Sequence, residues 1–94
     1  MLPTLDYAFF AARLHGFFAV GGHEGVTLTL TAADRLPPQA PGHVGFSLMF
    51  RGPLQPQLEQ MTYLLGTADA GTFPLFIVPV GRDQAGMQYQ AIFN

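Results

Sequence analysis

The sequence has no cysteine, no tryptophan and no lysine, a single serine, and few charges of either sign. Each shortage removes a class of function. Without cysteine there is no disulfide, no thiolate nucleophile and no thiolate metal site. The one serine, Ser47, stands in GFSLM, which lacks the second glycine of a nucleophile elbow. It also falls inside a strand pattern and not on a strand-to-helix turn, so serine-hydrolase chemistry has no footing. The basic residues are Arg13, Arg35, Arg51 and Arg82, 16 to 31 residues apart, against six acids for a net charge of −2. A phosphate backbone is held by a clustered basic footprint, and these four do not make one. No nucleic-acid partner is expected.

Long apolar runs are also missing. The stretch LPTLDYAFFAARLHGFFAV is interrupted by Asp6, Arg13 and His15 before any run reaches spanning length, and no basic n-region precedes it. It reads as folded chain, with no membrane partner and a cytoplasmic location expected. Charged residues make up 11% of the 94 positions, where a soluble domain has about 25%. So few charges cannot cover the surface, and part of the exposed apolar area is expected to be covered by a second subunit or a protein partner. The length allows one domain, residues 1–94, with a single core.

What is present is mostly β pattern. Residues 4–15 predict one short helix, with Thr4 as cap, Asp6 in the first turn and Gly16 as the residue that ends it. His15 falls in its last turn, where a charged imidazole suits the carbonyl end. Leu5, Phe9 and Ala12 share one face, and Tyr7, Phe10 and Leu14 another, so the helix is covered on more than one side, as a plug on one end of a β core would be. FFAV (17–20) reads as a short strand and GGHEG (21–25) as a turn. VTLTLTA (26–32) alternates, with Val26, Leu28, Leu30 and Ala32 inward. The proline-rich segment 34–43 reads as a loop. Residues 44–51 form a strand with Val44, Phe46, Leu48 and Phe50 inward, ended by Gly52 and Pro53, the glycine for its conformational freedom.

MTYLLG (61–66) places Met61, Tyr63 and Leu65 on one face. FPLFIVPV (73–80) is apolar on both faces, Phe73, Leu75 and Ile77 on one and Phe76, Val78 and Val80 on the other. Such a strand should be buried on both sides. Pro74 and Pro79 confine it to an edge, a strand end or a bulge, which predicts an edge strand covered by the helix or by another subunit. GRDQAG (81–86) turns the chain into MQYQAIFN (87–94), where Met87, Tyr89, Ala91 and Phe93 alternate with Gln88, Gln90 and Ile92. The fold class is mainly β: a small antiparallel barrel or two-sheet roll of about five to six strands with one N-terminal helix. About seventeen inward side chains fill a barrel this narrow, which argues against an internal ligand cavity.

No constellation of reactive groups emerges. His15, His23 and His43 fit no metal-ligand spacing, although His23 and Glu24 adjoin. The acids sit at helix-start, turn or loop positions, and neither GxGxxG nor a phosphate-binding loop is present. No catalytic residue, no metal site and no cofactor is expected, and the chain is not read as an enzyme. Arg51 stands outward at a strand end, either pairing with Glu59 across the next loop or meeting a partner beside exposed apolar groups. The expected interface residues are Tyr7, Phe10, Leu14, Arg51, Phe76 and Val78.

FSLMFRGP (46–53), LEQMTYLL (58–65), LFIVPVG (75–81) and MQYQAIFN (87–94) together resemble a family of small uncharacterised bacterial domains associated with phage-tail-like, tail-collar gene clusters. The resemblance covers the last fifty residues well and the N-terminal half weakly. Relatives tend to have a glycine in the turn before the tyrosine, where this chain has Met61. No activity comes with it; what it implies is a part of a larger assembly. The function expected is a non-catalytic structural or protein–protein interaction domain that self-associates as a homo-oligomer or docks on such an assembly. A small-ligand binding β-barrel and a small enzyme are the alternatives.

Overall fold

A computed structural model describes residues 4–38, 41–42 and 45–94. It contains one short helix, α1 (Tyr7–Ala11), and six strands: β1 (Phe17–Val20), β2 (Thr27–Arg35), β3 (Phe46–Gly52), β4 (Met61–Thr67), β5 (Gly71–Asp83) and β6 (Gly86–Phe93). The strands close into an antiparallel barrel in the order β1-β2-β3-β6-β5-β4. It consists of two three-stranded meanders, β1–β3 and β4–β6, joined along β3–β6 and β1–β4. The two-sheet roll is set aside. His43 and Val44 lie outside the described residues, and with them the expectation that Val44 begins the third strand.

β3 follows the period-2 pattern: Phe46, Leu48 and Phe50 are buried, and Ser47, Met49 and Arg51 alternate outward. Gly52 belongs to the strand and has a steric task, not a conformational one. A Cβ there would meet Leu28 Cδ2 at 2.7 Å and the Tyr89 ring at 3.2 Å. β2 keeps the expected phase only to Leu30. A bulge between Leu30 and Ala32 puts Ala32 opposite Met49 and Ala33 opposite Leu48, so Ala33, not Ala32, packs on the core. The strand also continues through Asp34 and Arg35, which the proline-rich segment had suggested were loop.

β5 corrects a second expectation. It is not an edge: Gly71–Ile77 pair with β4, and Val78–Asp83 pair with β6. Pro74 lies where β4 is the paired neighbour, opposite Leu64, and Pro79 adjoins a bulge before Gly81. Each proline thus occupies a place where the ladder is incomplete or irregular, as a residue without an N–H must. Within the described chain the helix does not cover the outer face of β5. Phe73, Leu75 and Ile77 are buried, whereas Phe76 and Val80 are half exposed.

The helix is shorter than its apolar spacing suggests. Asp6, not Thr4, caps it, accepting the Phe9 N–H at 2.9 Å, and Ala12 is the C-cap. His15 lies past the helix with φ of 69°, the only non-glycine among the described residues at positive φ. Its N–H donates to the Leu30 carbonyl at 2.7 Å, which ties the turn to β2. Gly16, expected in that role, is not at positive φ; a Cβ there would press on the Arg13 carbonyl oxygen.

Two plugs seal the barrel. At the end formed by the start of β3 and the end of β6, Phe10 of α1 is fully buried against Phe46, Phe73 and Phe93. At the opposite end the β3–β4 connection lays Leu58 across the opening, buried, with its N–H donated to the Tyr89 hydroxyl at 2.8 Å. Seven of the nine phenylalanines join one ring network, in which Phe46 and Phe93 stack with centroids 4.4 Å apart. The two left out are Phe17 and Phe76, and both are exposed.

Candidate functional site

The outer face of the β4–β5–β6 meander is built by strand alternation alone. Because Tyr63 and Leu65, then Phe73, Leu75 and Ile77, then Met87, Tyr89 and Ala91 turn inward, their neighbours Thr62, Leu64, Pro74, Phe76, Val78, Gln90 and Ile92 turn outward. Cross-strand register makes them contiguous: Leu64 opposes Pro74, Thr62 opposes Phe76, and Val78 opposes Gln90. Ile92 is two residues beyond Gln90 on the same face. Leu64 and Ile92 are each 54% exposed, Phe76 and Val80 each 49%. None of these seven outward residues carries a charge; the charges of the meander's ladders are Arg82 and Asp83, both exposed, at the far end of β5 where it pairs with Met87 and Gly86. The corresponding face of β1–β3 holds Asp34 and Arg51 among threonines.

The six residues expected at an interface do not share one surface. Phe76 and Val78 lie on this face. Phe10 is removed from the set, because as the plug of the barrel it has no exposed area to offer. Tyr7 is half-buried, its ring edge-on to Phe46 and its hydroxyl donating to the Ala33 carbonyl, with the Arg35 guanidinium 4.3 Å from its centroid. Leu14 is exposed on a separate cleft, beside Arg13 and Asp69. Arg51 is exposed on β3, opposite Thr29 and Gln88. It makes no ion pair with Glu59; the one ion pair among the described residues is Arg13–Asp69.

That pair frames a cleft of about 430 Å³ between the α1–β1 connection and the β4–β5 turn, lined by Arg13, Leu14, His15, Phe17, Thr67 and Asp69 among others. Arg13 donates to the Phe9 carbonyl at 2.8 Å and to Asp69 Oδ2 at 2.7 Å, with its guanidinium 3.9 Å from the Phe9 ring centroid. Thr67 donates to Asp69 Oδ1 at 2.9 Å. The Thr67 hydroxyl first, and then Arg13, hold the Asp69 carboxyl below its ordinary value. Phe17 is 71% exposed at the cleft. Nothing in the local sequence announces this site: Arg13 and Asp69 are 56 residues apart.

His23 packs edge-on to Tyr63 at 5.6 Å in the β1–β2 turn, while Arg51 lies on β3, on the other side of β2. Neither His23, Glu24 nor Arg51 lines the cleft beside Arg13 or the shallower one of about 500 Å³ around Leu54 and Arg82. Among the described residues no group of three or more His, Asp or Glu side chains is placed to hold a metal ion. No described helix is long and apolar enough to cross a membrane.

No curated protein and no solved structure matches this chain. A family described as a domain of unknown function, DUF6916, matches residues 5–93, from the residue before the helix cap to the last residue of β6. The chain belongs to that uncharacterised domain family.

Proposed function

We propose that this domain is a non-catalytic protein–protein interaction module, and that its binding surface is the outer face of β4, β5 and β6. One observation carries the reading. The chain buries five phenylalanines in its core and packs Phe9 and Phe93 against it, yet leaves Phe76, with Leu64, Val80 and Ile92, half exposed on strands that no segment of the described chain covers. A contiguous patch of that kind is the usual mark of a surface that meets protein. The resemblance of FSLMFRGP and LFIVPVG to domains of phage-tail-like clusters supports a larger assembly as the setting.

The test is a photoreactive benzoylphenylalanine put in place of Phe76 in the cells that make the protein, with Asp34 replaced as control. Adducts of discrete mass at position 76 and none at position 34 are the expected result. No adduct at 76 would sink the proposal.

The cleft beside Arg13 favours a second reading, a small-ligand binding domain whose site lies on the surface and not inside the barrel. An apolar body would rest on Leu14 and Phe17, and a donor group would meet Asp69. Screening small amphipathic amines by chemical-shift perturbation decides it: saturable shifts at Leu14, Phe17 and Thr67 that vanish in Asp69→Ala would favour this reading.

A further inference from the structure

We infer that the partner of the β4–β5–β6 face is a second copy of this chain, packed face to face about a two-fold axis near Val78 and Gln90. The inference rests on the reading of that face as a binding surface. The domain is acidic, so two copies repel in general, and an isologous contact is favoured only where like charges are not brought together. Here Thr62, Leu64, Pro74, Phe76, Val78, Gln90 and Ile92 carry no charge, and the one acid and one base of the ladders, Asp83 and Arg82, sit together at the far end of β5. Its polar members suit self-pairing, because a glutamine amide such as that of Gln90 and a hydroxyl such as that of Thr62 each donate and accept. The same chemistry gives a charged partner nothing to pair with.

Area points the same way. Half-exposed side chains of this size leave on the order of 80–100 Å² each, so Leu64, Phe76, Val80 and Ile92 offer about 350–400 Å² of apolar surface. With Pro74, Val78 and the flanking threonines and glutamines the face reaches roughly 700 Å², close to the ~800 Å² that each partner contributes to a standard interface. Roughly two thirds of it is apolar, the proportion typical of homodimers. Sheet faces can meet in this way with strands nearly aligned and their side chains interdigitated.

The test uses the full chain in sedimentation equilibrium from about 5 to 500 μM. Wild type should be a concentration-dependent dimer, and Phe76→Arg and Ile92→Arg should each weaken dimerisation more than tenfold, whereas Phe17→Arg on β1 should not. The chain has no cysteine, so Val78→Cys adds a second readout: mild oxidation should link two chains through that position, whereas Thr29→Cys on β2 should dimerise as wild type does but stay unlinked. A wild-type monomer across the whole range, or a dimer indifferent to both arginine variants and unlinked by Val78→Cys, overturns the inference. In the monomer case the photoadducts at position 76 still judge the binding surface separately: a discrete adduct to a different protein keeps that reading, and none removes both.

Discussion

Tyr89 on β6 accepts, at its buried hydroxyl, the N–H of Leu58 from the loop that crosses the barrel end, 2.8 Å away and 31 residues distant in sequence. The bond satisfies a donor that burial would otherwise leave stranded. Tyr89→Phe keeps the ring and its packing but leaves that N–H without a partner. A loss of about 1–3 kcal/mol is expected in urea unfolding, with the barrel intact by circular dichroism.

Phe10 plugs the other end. Phe10→Ala should cost about 3–5 kcal/mol, because the transfer of a buried ring is lost and the surrounding rings cannot close the gap. Leu14→Ala, on a side chain that is 42% exposed, should change the unfolding free energy by less than about 0.5 kcal/mol. The pair of melts separates plug from surface.

The turn after α1 gives a paired prediction. His15 carries the left-handed backbone, which costs a non-glycine residue about 1–2 kcal/mol, so His15→Gly should be neutral to stabilising even after the extra chain entropy that glycine brings. Gly16→Ala should destabilise, since its Cβ would stand 2.9 Å from the Arg13 carbonyl oxygen. Thermal melts with the opposite ranking would contradict this account of the turn.

Two groups give the stability a pH dependence. Asp69 titrates below its ordinary value when folded, so the stability it contributes is complete above the unfolded value of about 3.9 and is lost as pH falls through the folded one. Asp69→Asn should flatten that acid-side slope. Burial raises Tyr63 above its ordinary value of about 10, keeping the phenol neutral where its hydroxyl donates to the Glu59 carbonyl at 2.8 Å. That contribution is complete below pH 10 and fades as pH rises through the folded value. Tyr63→Phe should remove this alkaline dependence in melts between pH 9 and 12.

Strand identity was legible wherever alternation ran unbroken. β3 and β6 follow it residue by residue, because each has one buried and one outward face. β2 could be read only to Leu30, since a bulge at Thr31 leaves no compositional mark and reverses the phase of everything after it. The helix was overestimated because Arg13, Leu14 and His15 keep a helical apolar spacing while the chain is already turning toward β1. Phe10 and Phe76 look alike as phenylalanines in apolar runs. What separates them is tertiary: one side chain enters the barrel mouth, and the other lies on the far side of the sheet from Phe73 and Leu75. The Arg13–Asp69 pair joins segments with no local relation, so no reading of spacing finds it.

The two seams between the meanders are unequal. β3 and β6 are in register over seven residue pairs, from Phe46–Phe93 to Gly52–Met87, whereas β1 meets β4 at Ala19–Gly66 and Val20–Leu65 only. Each meander is assembled from near neighbours in the chain, but both seams are long-range, and closing them should be the slower part of folding. The long seam then anchors the molecule and the short one acts as its clasp. Amide protons along β1 should accordingly exchange through partial opening of that clasp, well before those of Leu48 and Phe50 are released by global unfolding.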